Sequence, residues 1–440
     1  MKPRFMIVFG FLGAILAGAF LLMLPVSSTA HVWMKPLDAL FTACSAVCIT
    51  GLTVIDVGTS LSRFGHCVLL FLVQLGCVGI MTLGTFFLVV VGRRLSLSSE
   101  FSLMNAYGVS GVRGWRGLVL WVVLSMTAIE LVGMYALHAC RPEAGWFPAY
   151  FFSVMAFCNA GFSLTPGSLA SFGQSPGVLL VMGTLVILGG LGFIVIYNVC
   201  SIQFWRRNLV KRGRLSLHTR VVLFSTVLLL VGMFVFFLAM EWNGSLAPFA
   251  MKDKFVVAFF QSVSPRTCGF SVISMDEVHA ATRFVSELLM FVGAGPGGAG
   301  GGIKVTTFAV FVVTLFAICR GRRDTVLFRR TISESVVREA IVIVMVFALM
   351  ISLAMTVLLV SDGGVDRLPF ESLLFETVSA VSTTGLSCGN TTMSLSTTGR
   401  VVVMLCMFCG RLGALAVVLL IGGQEERVTI RFPKEELVVG

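Results

Sequence analysis

Charge is scarce in this sequence. Only 12% of its 440 residues are Asp, Glu, Lys or Arg, against 57% hydrophobic, and the mean hydropathy is +0.97. So little polar surface cannot cover a soluble globule, and no stretch has the composition of a separate soluble domain. Histidine is scarcer still. His31, His66, His138, His218 and His279 are scattered and form no convergent set with Asp, Glu or Cys nucleophiles, which a polytopic membrane enzyme would need. The 12 cysteines do not make a disulfide framework, because most lie in or beside apolar runs, where Cys behaves as a small hydrophobe. Cys406 and Cys409 have CxxC spacing but no further Cys or His nearby in their span.

What is abundant is apolar sequence in runs of about 20 residues, the length a spanning helix needs. The fold class expected is an all-α polytopic membrane protein, with spans near 5–26, 67–91, 117–138, 178–203, 221–240, 284–317 (broken), 339–360 and 401–422. The first run can also be read as a signal peptide, given its basic start and the small residues before His31, but the repeat described below needs a helix there. The net charge of +11 is not a nucleic-acid footprint. Lys2, Arg4, Arg93, Arg94, Arg113 and Arg116 cluster between spans. So do Arg206, Arg207, Lys211, Arg212, Arg214 and Arg220, then Arg320, Arg322, Arg323, Arg329, Arg330 and Arg338, and finally Arg427, Arg431 and Lys434. Two crossings between successive clusters put all of them on one side, the positive-inside pattern, and place both termini in the cytoplasm. Asp366 and Glu371 are among the acids of the segments assigned outside.

Four segments align without gaps: FTACSAVCITGLTV from Phe41, FFSVMAFCNAGFSL from Phe151, FFQSVSPRTCGFSV from Phe259 and FETVSAVSTTGLSC from Phe375. Each has Phe ten residues before Gly51, Gly161, Gly269 or Gly385, and a further glycine 28 residues after it, at Gly79, Gly189, Gly297 and Gly413. The sequence therefore divides into four pseudo-repeats: 1–104, 105–213, 214–333 and 334–440, together forming one membrane domain. Each reads as an outer helix, a short re-entrant pore helix with a glycine-centred turn, and an inner helix. The short segment of about ten residues cannot cross a bilayer at 1.5 Å per residue.

Irregular backbone at membrane depth survives only when buried in protein or lining a water-filled cavity, so four copies imply a central pore. Re-entrant helices entering from outside point their partially negative ends inward, towards a cation. Four glycine turns then make a ring of backbone carbonyls able to replace the hydration shell of potassium. The filter residues expected are Ile49, Thr50 and Gly51; Asn159, Ala160 and Gly161; Thr267, Cys268 and Gly269; Thr383, Thr384 and Gly385.

These motifs resemble the Trk/Ktr/HKT superfamily of potassium transporters, most closely its Ktr-type membrane subunit, over nearly the whole chain. AVCITGLTV, FCNAGFSL, FQSVSPRTCGFS and VSTTGLS look like the four filter motifs; GGIKVTTF and GRLGAL look like the third and fourth inner helices. The resemblance implies potassium uptake and a homodimer on a ring of nucleotide-binding regulatory subunits of the RCK type, docked on the basic loops. Potassium is then the transported ion and the nucleotide belongs to the partner, with no covalently bound cofactor on this chain. Four filter glycines, where some relatives carry serine in the first, imply potassium rather than sodium; sodium coupling or a sodium-transporting member is the alternative. Cys268 departs from the small residue usual there. An unrelated secondary transporter with broken helices would show inverted rather than same-direction repeats.

From Gly293 to Gly302, seven of ten residues are glycine, with Ala294, Pro296 and Ala299 between them. The 36 residues from Phe284 to Cys319 would run about 54 Å as one helix, against a hydrocarbon core of about 30 Å, so the span must break. It is not a phosphate loop, because Ile303 separates Gly302 from Lys304 and no strand precedes it. Gly293, Gly295, Pro296, Gly297, Gly298, Gly300, Gly301, Gly302, Lys304 and Arg411 are the expected gate, obstructing the pore beneath the filter. Arg411 stands 26 residues after Gly385, an offset that from Gly269 falls on Gly295. It is either a barrier facing the loop or a structurally paired charge behind the pore. Lys304 either anchors the loop or sits at the cytoplasmic mouth. Glu130 and Glu287 carry no assigned role beyond pairing.

Overall fold

The computed structural model describes residues 3–92, 114–203, 215–322, 324–364 and 368–413, with side chains for all of these except 3–7, 80–92, 114–119 and 201–203. Lys2, Arg93, Arg94, Arg113, Arg206, Arg207, Lys211, Arg212, Arg214, Arg323, Asp366, Arg427, Arg431 and Lys434 lie outside the described residues. So do the repeat boundaries at 104 and 213 and the last expected span beyond Gly413.

The first unit comprises α1 (Pro3–Met23), the short α2 (Pro36–Val47) and α3 (Arg63–Gly92). The second has α4 (Gly114–Cys140), α5 (Trp146–Phe157), α6 (Pro176–Leu191) and α7 (Phe193–Gln203). The third has α8 (Leu217–Glu241), α9 (Met251–Val263), α10 (Ala280–Phe291) and α11 (Val305–Cys319), followed by a two-stranded hairpin, Val326–Leu327 with Arg330–Thr331. The fourth has α12 (Glu334–Ser361), α13 (Phe370–Ser382) and α14 (Thr397–Leu412). Three helices, over Leu120–Cys140, Leu217–Glu241 and Glu334–Ser361, are each long and apolar enough to cross a membrane. Their outward faces are apolar at helical spacing, with Phe224, Leu228, Val231 and Val235 exposed on α8 and Met345, Leu349 and Leu353 on α12. An exposed stripe of that kind is a lipid-facing one.

The short helices α2, α5, α9 and α13 hold 12, 12, 13 and 13 residues and occupy the centre. Pro36 opens α2 and Pro369 precedes α13, and acids sit in the first turns: Asp38, Asp253 and Glu371. Proline at the start costs no hydrogen bond, and acids there meet the positive end of the helix dipole. Phe41, Phe151 and Phe375 are fully buried anchors of their short helices. In the third unit Phe260, not Phe259, is the fully buried one. The helix there is shifted because Pro265 follows its cap residue Ser264 and cannot continue it. The buried anchor of α9 is thus one position off the gap-free alignment, while Thr267 and Gly269 keep their aligned places in the turn.

Two expected spans differ from the structure. The stretch 178–203 is not one helix: Gly192, at φ +89°, separates α6 from α7 and the pair bends by 98°. The last inner helix ends at Leu412, where Gly413 adopts φ +82°. The break between α10 and α11 is thus not the sole interruption among the inner helices.

Candidate functional site

Each short helix ends in a turn with the same alternation of backbone handedness. Ile49, Asn159, Thr267 and Thr383 have φ of 53°, 57°, 62° and 51°, and Gly51, Gly161, Gly269 and Gly385 have φ of 91°, 70°, 76° and 86°. The residue between them keeps negative φ in every turn. Left-handed geometry is costly for a β-branched residue such as Ile49, so four instances in one place mark a backbone held in shape by its surroundings. Alternating handedness turns successive peptide groups to the same side.

The four turns meet one another in chain order. A Cβ added at Gly51 would strike the carbonyl of Ala160; at Gly161 it would come to 2.9 Å from Cα of Gly269. At Gly269 it would reach 2.8 Å from the Thr384 carbonyl oxygen, and at Gly385 it would strike the Thr50 carbonyl. The contacts run first to second, second to third, third to fourth and fourth to first, so the turns close a ring. Only glycine fits this approach.

Hydrogen bonds to the short helices fix the turns. The amides of Thr50, Ala160 and Thr384 donate to the carbonyls of Ser45, Met155 and Ser379, each at 2.8 Å, while Cys268 donates to Ser264 at 3.1 Å after the shifted α9. Ser45 and Ser379 also accept from the glycine amides of Gly51 and Gly385, at 3.0 and 3.1 Å. These two serines, six residues before their glycines, were not singled out from sequence, and the signal exists in only two units. Glu376 was missed as well. It is fully buried on α13 and accepts from Ser387 and Thr392, bracing the chain just beyond the fourth turn.

The glycine-rich loop lies directly against this ring. A Cβ at Gly300 would strike Thr267 Oγ1, and one at Gly301 would strike Thr383 Oγ1. The loop is bonded to the α6–α7 bend: Gly295 N–H donates to the Gly190 carbonyl at 2.8 Å, Ala299 N–H to Gly189 at 3.0 Å, and Phe193 N–H to Gly297 at 3.4 Å. A Cβ at Gly192 would meet the Pro296 carbonyl at 2.5 Å, which accounts for the glycine at the bend. The loop is closed on itself where Gly293 N–H donates to the Ile303 carbonyl at 2.9 Å.

Three cations, Arg266 and Arg411 buried and Lys304 half-buried, hold its carbonyls. Arg411 donates through Nη1 to Ala299 and through Nη2 to Gly76 at 3.2 Å; Lys304 Nζ donates to Gly300 at 2.7 Å; Arg266 Nη2 donates to Gly293 at 3.5 Å. None of the three is in an ion pair with a carboxylate among the described residues. Lys304 is accordingly found on the loop itself, and Arg411 meets Ala299 rather than the Gly295 to which its offset corresponds. Arg266 lies inside the third filter motif, and its role on Gly293, 27 residues away, leaves no spacing signal in the sequence. The glycines at the 28-residue offset do not share one role: Gly189 packs on the Phe157 carbonyl, but in the first and fourth units the equivalent contacts, to the Val47 and Val381 carbonyls, are made by Gly76 and Gly410. Glu130 accepts from Gln74 Nε2 at 2.7 Å and from Cys158 at 3.7 Å, so its partners are neutral.

A family model described as TrkH, cation transport protein, matches residues 4–426. The chain belongs to the TrkH family. This is a family of cation transporters and not of enzymes. The chain is 35% identical over 448 residues to Ktr system potassium uptake protein B of Bacillus subtilis, covering 100% of this chain and 97% of the relative. It is 35% identical over 446 residues to the protein of the same description in Vibrio alginolyticus, covering 100% and 95%. The potassium/sodium uptake protein NtpJ of Enterococcus hirae is 32% identical over 448 residues, covering 100% and 98%. The fold is similar to the crystal structure of the potassium transporter TrkH from Vibrio parahaemolyticus, with a TM-score of 0.75 at 18% identity over 96% of this chain and 85% of that one. Against this TrkH-family background the ring, the loop and the three cations lie together at the centre of the fold.

Proposed function

We propose that this protein takes up potassium through a pore in which the carbonyls of Ile49, Thr50, Gly51 and their counterparts in the other three turns form the selectivity filter. The observation that carries this reading is the ring closed in chain order by Gly51, Gly161, Gly269 and Gly385, each too close to the next turn for a side chain. Potassium must shed water to pass such a ring, and backbone oxygens replace that water. Thr50 and Thr383 support the reading, since their hydroxyls are buried with no hydrogen-bond partner among the described residues and are available to an ion. The relatives described as potassium uptake proteins, alike over the full chain, support potassium as the ion.

The loop from Gly293 to Gly302 is the gate in this proposal. It abuts Thr267 and Thr383 and gathers Arg266, Lys304 and Arg411, a set of positive charges that opposes cation passage. Release follows when α7 or α11 moves, because the loop is bonded to the bend before one and runs directly into the other. Two of the relatives are described as Ktr system proteins, which supports partnership with other components of such a system; in this proposal the protein is a homodimer in the bacterial inner membrane with both termini cytoplasmic, controlled by a cytosolic nucleotide-binding ring of the RCK type on the basic loops. A potassium/sodium reading is favoured by one observation, the full-length likeness to NtpJ.

The test is uptake in potassium-transport-deficient cells, or flux in liposomes, for wild type and Gly269→Asp. A carboxylate side chain in the ring is expected to abolish potassium movement. Unchanged movement in a correctly inserted protein rejects the filter assignment, and equal rates for sodium and potassium in the wild type select the second reading.

A further inference from the structure

An apolar cavity of about 280 Å³ opens on the lipid-facing side between α8 and α11, where Phe224, Leu228, Phe308, Val312 and Phe328 line it. Its floor is the hairpin that follows α11. Thr314 Oγ1 and Thr325 Oγ1 lie 3.2 Å apart and tie the hairpin to the helix, and Phe328 packs edge-on against Phe224 at 5.8 Å. The turn of this hairpin is Phe328–Arg329, with φ of 48° and 63°. Tight hairpin turns with two left-handed residues normally use Asn and Gly, so the Phe–Arg pair holds a strained turn. One side chain enters the apolar cavity and the other stands exposed beside Arg330.

Arginines flank the lining elements, Arg220 next to the lining residue Val221 and Arg329 next to Phe328. Arg220 lies in the first turn of α8, Arg320 and Arg322 directly follow α11, and Arg329 and Arg330 are at the hairpin tip; all five are exposed, and none makes an ion pair among the described residues. A greasy slot open to lipid with unpaired guanidiniums at its end matches one kind of ligand, an amphiphile with an anionic head. Guanidinium recognises phosphate oxygens in a bidentate manner, and basic pockets between transmembrane helices select anionic lipid headgroups.

We propose that this groove is a binding site for an anionic phospholipid of the arginine-bearing leaflet, with an acyl chain between α8 and α11 and its phosphate on Arg329, Arg330 and Arg220. The chemistry of the site stands independently of the pore. Its bearing on transport rests on the gate reading, because α11 begins at Val305, one residue after Lys304.

The test is native mass spectrometry of the full chain after exchange into mixed micelles of phosphatidylglycerol and phosphatidylcholine. Wild type is expected to retain phosphatidylglycerol preferentially. Each arginine removed should lower that preference about fivefold, so Arg329→Glu with Arg330→Glu should nearly erase it. Ala309→Phe, which fills the cavity and leaves the arginines in place, should lower retention of the phospholipid itself. Thermal midpoints matching wild type establish that both variants are folded. Equal retention of the two lipids by wild type, or retention unaffected by either variant, overturns the proposal. It is overturned equally if the charge reversal releases a co-purifying cytosolic protein and leaves the lipid bound.

Discussion

Arg411 and Ala299 are joined across the centre of the molecule: the guanidinium at the end of α14 donates to the carbonyl at the middle of the glycine-rich loop, while its second nitrogen reaches Gly76 on α3 at 3.2 Å. One side chain thus ties the fourth unit to the third and to the first. A buried guanidinium without a carboxylate is expensive, and the carbonyls it satisfies are what offset that cost. Replacing it by Gln removes the charge and keeps part of the hydrogen bonding. Arg411→Gln is expected to raise potassium flux in liposomes several-fold. Flux equal to or below wild type, with normal reconstitution, would show that the cation is a strut and not a barrier.

The ring of turns makes a sharper prediction because it can be tested by a single methyl group. Gly385→Ala puts a Cβ against the Thr50 carbonyl at φ +86°, and backbone on both sides leaves no flexible atom to yield. Uptake should fall by at least about tenfold, the equivalent of roughly 1.4 kcal/mol on the transport barrier. Gly232→Ala on lipid-facing α8, where a Cβ meets nothing within 4 Å, is the matched control. It should transport as wild type and unfold slightly later, since alanine favours helix over glycine by about 1 kcal/mol.

The four turns were legible in the sequence because ring closure demands glycine at one position per unit, and four such demands leave a spacing that survives divergence elsewhere. The glycine-rich break was legible for a different reason, a helix too long for its bilayer. The bend at Gly192 was not, because a single glycine inside an apolar run is equally compatible with close helix packing; only the approach of Pro296 distinguishes the two. Arg266, Ser45 and Glu376 were hidden differently. Each acts through a partner distant from it in the chain or through a backbone amide, and neither leaves a spacing to read. The third unit also misled, since Pro265 shifts α9 by a residue while the motif around it still aligns.

Gly192 gives a direct test of the gate. Gly192→Ala forces a residue at φ +89° and drives its Cβ into the Pro296 carbonyl, so the bend and the loop cannot keep their present contact. The strain is of order 1–2 kcal/mol, enough to shift the loop without unfolding the protein. Flux is expected to rise, and deletion of 294–300 should raise it further while weakening dependence on the proposed nucleotide-binding partner. If both variants transport less than wild type at equal thermal stability, the loop is part of the conducting path and not an obstruction to it.

In the last two units a buried carboxylate ties the end of one long helix to the start of a later one, and this decides where motion can occur. Glu241, at the end of α8, accepts from the His279 amide at 2.8 Å, from the Thr282 hydroxyl at 2.6 Å and from the Ser245 hydroxyl at 2.9 Å, so the carboxylate clasps the start of α10. Asp362, after α12, does the same for α14 through the Ser396 amide at 2.6 Å and hydroxyl at 3.0 Å. Both acids are buried, and removing either leaves donors unsatisfied, at about 1–3 kcal/mol per site. Glu241→Ala and Asp362→Ala should each lower the thermal midpoint by several degrees. If the clasps fix these helix starts so that gating is confined to α7 and α11, the potassium-to-sodium selectivity ratio should not change in the surviving folded fraction. A changed ratio would mean that the clasps reach through α10 and α14 to the ring itself, placing filter geometry under the control of the helix ends.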